Sequence, residues 1–249
     1  MNLIPYDGVV KLNTKILLVS VPVVVAVLIV LFHAQLAWGF VRIGNEFFGG
    51  SFPYNLAAAD TAYTIALKLD PEVSDAWHQR ARISFLRGNL DTALVFINTQ
   101  IDLHGTSLMS SYYIRGLING YREDFLPAET DFTTFILWDK TNWAAHNDLA
   151  WIFFSQGKFE EAEERSRGGL YIHPKNPWLL TTHAMALYNL GNKEDAKVDL
   201  LAAKAAALQV TEADWIEAYP GNDSRIAAEG VASLRETIDT NLQLIEGEL

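Results

Sequence analysis

The sequence predicts an all-α protein: one N-terminal membrane-spanning helix, a solenoid of paired helices, and a C-terminal pair of capping helices. Three observations predict it. The chain opens with an apolar run in which, from Ile16 to Phe32, only Ser20 is polar and nothing is charged. Small residues and turn glycines then recur at an interval of about 34 residues, the length of one helical hairpin repeat. Helix-stopping residues keep step with them, at Asp70-Pro71, Asp139 to Asn142 and His173-Pro174.

Composition narrows the possibilities. Half of the 249 residues are hydrophobic and seven are Trp, more than a disordered chain carries. There is no Cys, which removes disulfides, thiolate-held zinc and thiol catalysis. The formal net charge of -11 argues against nucleic acid, whose binding requires basic surface.

Residues 1–15 read as a short tail. Residues 16–38 are long enough to cross a bilayer as a helix, which takes about 20 residues. Lys15 suits one interface, and Trp38 and Phe40 the other. A cleaved signal peptide fits poorly. The apolar run exceeds the ~7–15 residues of such a segment. Phe32 and Gln35 also stand at the third-from-cut positions for cuts after Ala34 and Ala37. Lys11 and Lys15 precede the span and Arg42 follows it, so the positive-inside rule places the repeats on the non-cytoplasmic side.

Residues 39–53 form the juxtamembrane connection, with breakers from Gly49 to Pro53. Phe40 to Phe48 is expected to continue the membrane helix. It would then supply the first helix missing from the half-repeat at 54–73, which carries Ala59, Tyr63, Ala66 and Pro71. Four hairpins follow, at 74–107, 109–142, 143–176 and 177–210. The third is the clearest: Leu149, Ala150 and Phe153 share one helix face, Gly157-Lys158 turns the chain, and Phe159, Ala162 and Leu170 mark the return. The fourth repeats it with Ala184, Gly191, Ala196, Leu200 and Ala203. The second has Gly116, Ala128 and Phe132, with Glu123 at the turn. The first has Trp77, Ala81, Gly88, Ala93 and Ile97, and one extra residue before the next repeat. Small residues at these places let helix backbones approach closely.

Residues 211–249 are the C-terminal cap. Thr211 and Asp214 form a near capping box, so a helix starts there. Tyr219-Pro220-Gly221-Asn222 breaks it. A last helix is predicted over 225–245, its apolar stripe made of Ala227, Val231, Leu234, Ile238, Leu242 and Ile245, with Gly247 as its stop.

Over residues 54 to 210 this pattern resembles the tetratricopeptide repeat (TPR), through Leu149, Ala150, Phe153, Gly157, Ala162 and Pro174 and their counterparts one period away. His146, Ser166, Gly169 and Glu123 depart from it. The resemblance implies a right-handed α-solenoid that binds a protein partner in a groove lined by the first helices. Carried over by position, the lining is His78, Arg82 and Phe85; Tyr113, Leu117 and Tyr121; Asn147, Trp151 and Phe154; Trp178, Thr181, Met185 and Tyr188. The carboxylate clamp of the family's chaperone-binding members is absent, because His78, Tyr113, Asn147 and Thr181 hold one of its key positions. The groove is aromatic instead. Two readings of that stay open: interface hot spots, or rings packed within the hairpins or under the C-terminal helix.

Chemistry is otherwise sparse. No two of the six His share an i, i+4 spacing, and no glycine-rich phosphate loop precedes a helix. Glu160, Glu161, Glu163 and Glu164 suit the start of a helix. No enzyme activity, cofactor, metal or small-molecule substrate is expected. The expected role is a membrane-anchored adaptor, or an accessory or assembly subunit of a membrane protein complex, touching lipid through residues 16–38. The alternative is a structural subunit of a filament with a pilin-like N-terminal helix.

Overall fold

The computed structural model describes residues 14–49, 54–211, 213–214 and 224–248; for 14–22, 25–31, 224–229 and 248 it describes the backbone alone. Among the described residues there are helices and no strands. The first helix, α1, runs from Thr14 to Gly49 without a break, through Gly39 and Gly44. Among the described residues no helix is long and apolar enough to cross a membrane. Most side chains of the expected span at 16–38 lie outside them.

The last turns of α1 lie against α2 (Leu56–Leu69). Ala37, Val41 and Phe48 of α1 share a core with Ala59, Tyr63 and Ala66 of α2. Residues 40–48 therefore stand beside α2 as the first helix of a hairpin would. Gly44 makes the close approach possible, since a Cβ there would collide with the Tyr63 ring, 2.7 Å from its Cζ. The Tyr63 hydroxyl donates to Asn45 Oδ1 at 2.6 Å.

Four helix pairs follow: α3 (Ala76–Leu86) with α4 (Leu90–His104), α5 (Ser110–Tyr121) with α6 (Phe125–Trp138), α7 (Trp143–Ser155) with α8 (Phe159–Ile172), and α9 (Pro177–Asn189) with α10 (Lys193–Ala207). Each pair turns on the same device. Gly88, Glu123, Gly157 and Gly191 all have positive φ, between 63° and 87°. The residue after each donates its N–H five residues back: Asn89 to Ser84, Asp124 to Asn119, Lys158 to Phe153 and Asn192 to Leu187. This helix-ending motif needs one left-handed residue, and glycine reaches it freely. Glu123 reaches it at a cost of roughly 1–2 kcal/mol.

Helix starts are also fixed locally. Asn55, Asn142 and Asn176 accept N–H bonds from the first turns of α2, α7 and α9, satisfying donors that a helix start leaves orphaned. The extra residue after the first hairpin falls in a 3-10 turn, Gly105–Leu108.

Within the pairs the small residues sit where the helices meet. Ala81 and Ala93, Ala150 and Ala162, and Ala184 and Ala196 are all completely buried. In the second pair a Cβ on Gly116 would lie 3.0 Å from the Phe132 ring. The departures from the pattern answer one another. At Gly169 a Cβ would lie 2.7 Å from Leu179 and 3.1 Å from His146 Cβ, so the bulky His146 and the bare Gly169 complement each other across the hairpin. Ser166 turns its hydroxyl back to Ala162 O at 2.7 Å, a local bond at the place that Ile97, Phe132 and Leu200 fill in the other pairs.

The core is a chain of clusters, each spanning neighbouring units. One joins α1, α2 and α3, the next α3, α4 and α5, the next α5, α6 and α7, and the last α9, α10 and the C-terminal helix. Such nearest-neighbour burial defines a solenoid. His183 of α9 adds a polar rivet to it, with Nδ1 2.5 Å from Asp199 of α10 and Nε2 3.2 Å from Glu163 of α8. Burial pulls its pKa down, but the two carboxylates outweigh burial and the net shift is upward.

At the C-terminal end, Thr211 and Asp214 exchange backbone-to-side-chain bonds at 2.8 and 3.2 Å, the expected capping box. The predicted break at 219–222 lies outside the described residues, as does the side chain of Ala227. The last helix, α11 (Ser224–Glu248), lays Val231, Leu234, Ile238, Leu242 and Ile245 inward. The last four meet Leu180, Leu187, Leu200 and Ala203 of the fourth pair. Arg235 donates to Ala207 O and Val210 O, closing the end of α10. Gly247, expected as the stop, lies within α11, which continues to Glu248. Its φ is not positive, so it does not supply the left-handed cap that a glycine stop requires.

Candidate partner-binding groove

The first helices of successive pairs touch one another: α3 meets α5, α5 meets α7, and α7 meets α9. Residues one repeat apart on those helices therefore share one surface. A cavity of about 230 Å³ opens on it between α5, α7 and α9. Leu117, Tyr121, Asn147 and Trp151, four of the residues expected to line the groove, surround it. Buried Gly116 and Phe132 lie beneath, and Thr182 closes the α9 side.

Two rings dominate its edge. Tyr121 is 63% exposed and Trp151 41%. Their centroids are 5.9 Å apart, and Tyr121 also meets Phe85 edge-on at 5.2 Å. Gly120 holds the Trp151 side close to α5, since a Cβ there would lie 3.2 Å from the Trp151 ring. Thr182 donates to Asn147 Oδ1 at 2.9 Å, tying α9 to α7.

Sequence reasoning missed Asp148. It lines the cavity beside Asn147 and accepts the Tyr113 hydroxyl at 2.6 Å and Asn147 Nδ2 at 3.4 Å. Burial pushes its carboxyl up to about 6, against the lowering effect of those two bonds. Among the described residues no Lys or Arg forms an ion pair with it; Arg115 and Arg122 of α5 pair with Asp131 and with Asp91 and Asp124, and Lys158 with Glu129. A raised carboxyl pKa favours folding below the unfolded value and loses that as pH rises through about 6. At pH 7 the ionised Asp148 therefore costs stability. The signal that could have revealed it is Tyr113, a phenol at the same helix face one repeat earlier.

The other expected lining residues are spread out. Tyr113 is tied to Asp148 and packs on Phe132 and Phe135. His78 is withdrawn from the surface: it is buried, with Nδ1 3.0 Å from Ser111 Oγ, and burial pushes its pKa down to about 3. Arg82 lies 4.6 Å over the Phe48 ring of α1 and bonds to Gln79, so it serves the junction with α1. Phe154 packs edge-on to Phe159 at the hairpin tip. Trp178 stacks on Trp143 at 5.0 Å, and both Trp178 and Tyr188 lean on the α9–α11 core. Thr181 bonds back to Pro177 O, and Met185 is half-buried on α9. The face of the second helices also carries exposed rings, Trp138 at 63% and Tyr171 at 91%. No cluster of three or more His, Asp or Glu able to hold a metal occurs among the described residues.

The helix pairs, their shared turns and the chain of clusters define an α-helical repeat solenoid of the TPR kind. Solved structures agree. The PilW structure, described as that of a type IV pilus biogenesis factor, superposes with a TM-score of 0.63 at 18% identity, over 84% of this chain and 93% of PilW. A MamA structure gives 0.60 at 18% identity, over 70% and 93%. YrrB, described as a TPR protein with an unusual peptide-binding site, gives 0.57 at 15%, over 68% and 86%. No family model matches the chain, and no curated protein does.

Proposed function

We propose that this chain is a membrane-anchored adaptor, or an accessory or assembly subunit of a membrane protein complex, that holds a protein partner in the groove between α5, α7 and α9. The observation that carries this reading is the pair of exposed rings, Tyr121 and Trp151, set by consecutive repeats at the rim of one cavity. Aromatic anchors beside a pocket are the usual centre of a protein interface. YrrB, described by its peptide-binding site, and PilW, described as a biogenesis factor, share the fold and lend support.

Anchoring rests on the uncharged run from Ile16 to Phe32 and on the 36-residue length of α1. At 1.5 Å per residue such a helix is about 54 Å long, enough to cross a bilayer core and still reach α2. Phe32, Leu36 and Trp38 stand exposed on it. The repeats would then face the non-cytoplasmic side.

The test is detergent extraction of the tagged full-length chain, with identification of what accompanies it. Replacing Tyr121 and Trp151 together by Ala is expected to lower partner recovery at least ten-fold while helicity stays unchanged. Undiminished recovery would move the site off this groove.

A further inference from the structure

We propose that the cavity beside Asp148 takes a Lys or Arg side chain of the partner, held by the carboxylate below and the Tyr121 and Trp151 rings at the rim. This rests on the groove reading and names what that groove selects. Three observations converge on it. An ionised carboxylate offers about four acceptor sites, and Asp148 uses two, both on neutral donors, Tyr113 and Asn147. Among the described residues no Lys or Arg forms an ion pair with it, and Arg115 and Arg122 of α5 are engaged by other carboxylates. The rings at the mouth present π-faces, to which an ammonium or guanidinium is attracted.

Size and charge agree. At about 230 Å³ the cavity is smaller than the ~300–1,000 Å³ of a small-molecule pocket, and suits one long side chain. The chain carries a net charge of -11, which draws basic segments towards it. Burial of an ionised carboxylate without a cation destabilises the free protein, and an incoming cation relieves that cost. Specificity follows from the same geometry: a neutral side chain of equal length would fill the space and leave Asp148 unpaired.

The experiment titrates the full chain in detergent with acetyl-Ala-Lys-Ala-amide, its Arg counterpart and its norleucine counterpart. The indole N–H resonance of Trp151, assigned through Trp151→Phe, is followed. Saturable shifts with the Lys and Arg peptides, at least ten-fold weaker with norleucine, are expected. Asp148→Asn should erase that preference while keeping the bond to Tyr113 and raising the melting temperature, so misfolding cannot mimic the result. Lowering the pH from 7.5 to 5 should weaken the cationic peptides and leave norleucine unchanged, since the groups facing the carboxylate are the Tyr113 hydroxyl, the Asn147 amide and Tyr121, whose pKa burial raises further. Equal binding of norleucine, or a preference that survives Asp148→Asn, would overturn the proposal while leaving the groove reading intact. Partner recovery that ignores Tyr121 and Trp151 would overturn the groove reading itself.

Discussion

Arg115→Ala is expected to destabilise the array by about 3 kcal/mol, read as a drop in the urea midpoint of the helical signal. Asp131 of α6 is 2% exposed. It is held by Arg115 Nε at 2.9 Å and Nη2 at 2.8 Å, a two-pronged pair, and by Asn119 Nδ2 at 3.3 Å. Arg115 also reaches Asn98 of α4 at 3.1 Å, so one guanidinium joins three helices. Removing it strands a carboxylate that water cannot reach. Partial exposure of Arg115 places the loss at the lower end of the range for broken buried pairs. Arg115→Leu combined with Asp131→Leu should restore most of the loss, because no unpaired charge then remains. A single variant as stable as the original chain would mean that Asp131 is already solvated.

Gly44→Ala is expected to cost about 3 kcal/mol, the upper part of the range for overpacking a core. The new Cβ would lie 2.7 Å from Tyr63 Cζ and 2.8 Å from Cδ1. That ring cannot yield: it is completely buried and its hydroxyl is tied to Asn45. The α1–α2 contact must open instead, exposing Phe48 and Tyr63 to solvent. Gly39→Ala on the same helix is the control. It meets nothing within 4 Å, and should be neutral or stabilising by up to about 1 kcal/mol on helix propensity. Thermal unfolding of the two variants side by side separates steric collision from propensity. Equal behaviour would show that α1 is only loosely joined to the array.

These two sites illustrate what the sequence reveals. The small residues at helix crossings are legible because close backbone approach restricts residue choice once per hairpin, and the restriction repeats. The turn at Glu123 is legible only by position, since its left-handed φ is imposed by the 6→1 bond from Asp124 to Asn119. Likewise His146 and Gly169 look like two defects until the contact between them is seen. Four groove residues, Leu117, Tyr121, Asn147 and Trp151, gather at one cavity as their shared register suggests.

Asp148 was hidden for a physical reason. Beside Asn147 on a helix it reads as a solvated charge. Its place in the cavity wall shows only through Tyr113, which bonds to it, and Thr182, which lines the same cavity, each about one repeat away. His78 fails in the opposite sense: a groove position by register, it is pulled inward by Ser111 and by Gln100, whose Oε1 accepts the His78 N–H. Gly247 shows that a glycine stops a helix only where the chain takes up the left-handed turn.

The most direct test of the account places a photoreactive phenylalanine at Trp151, and separately at the exposed Tyr171 on the second-helix face, in the chain expressed in its native cells. Irradiation is predicted to join the partner to the chain through position 151 and not through position 171. Adducts formed at 171 with none at 151 would contradict it.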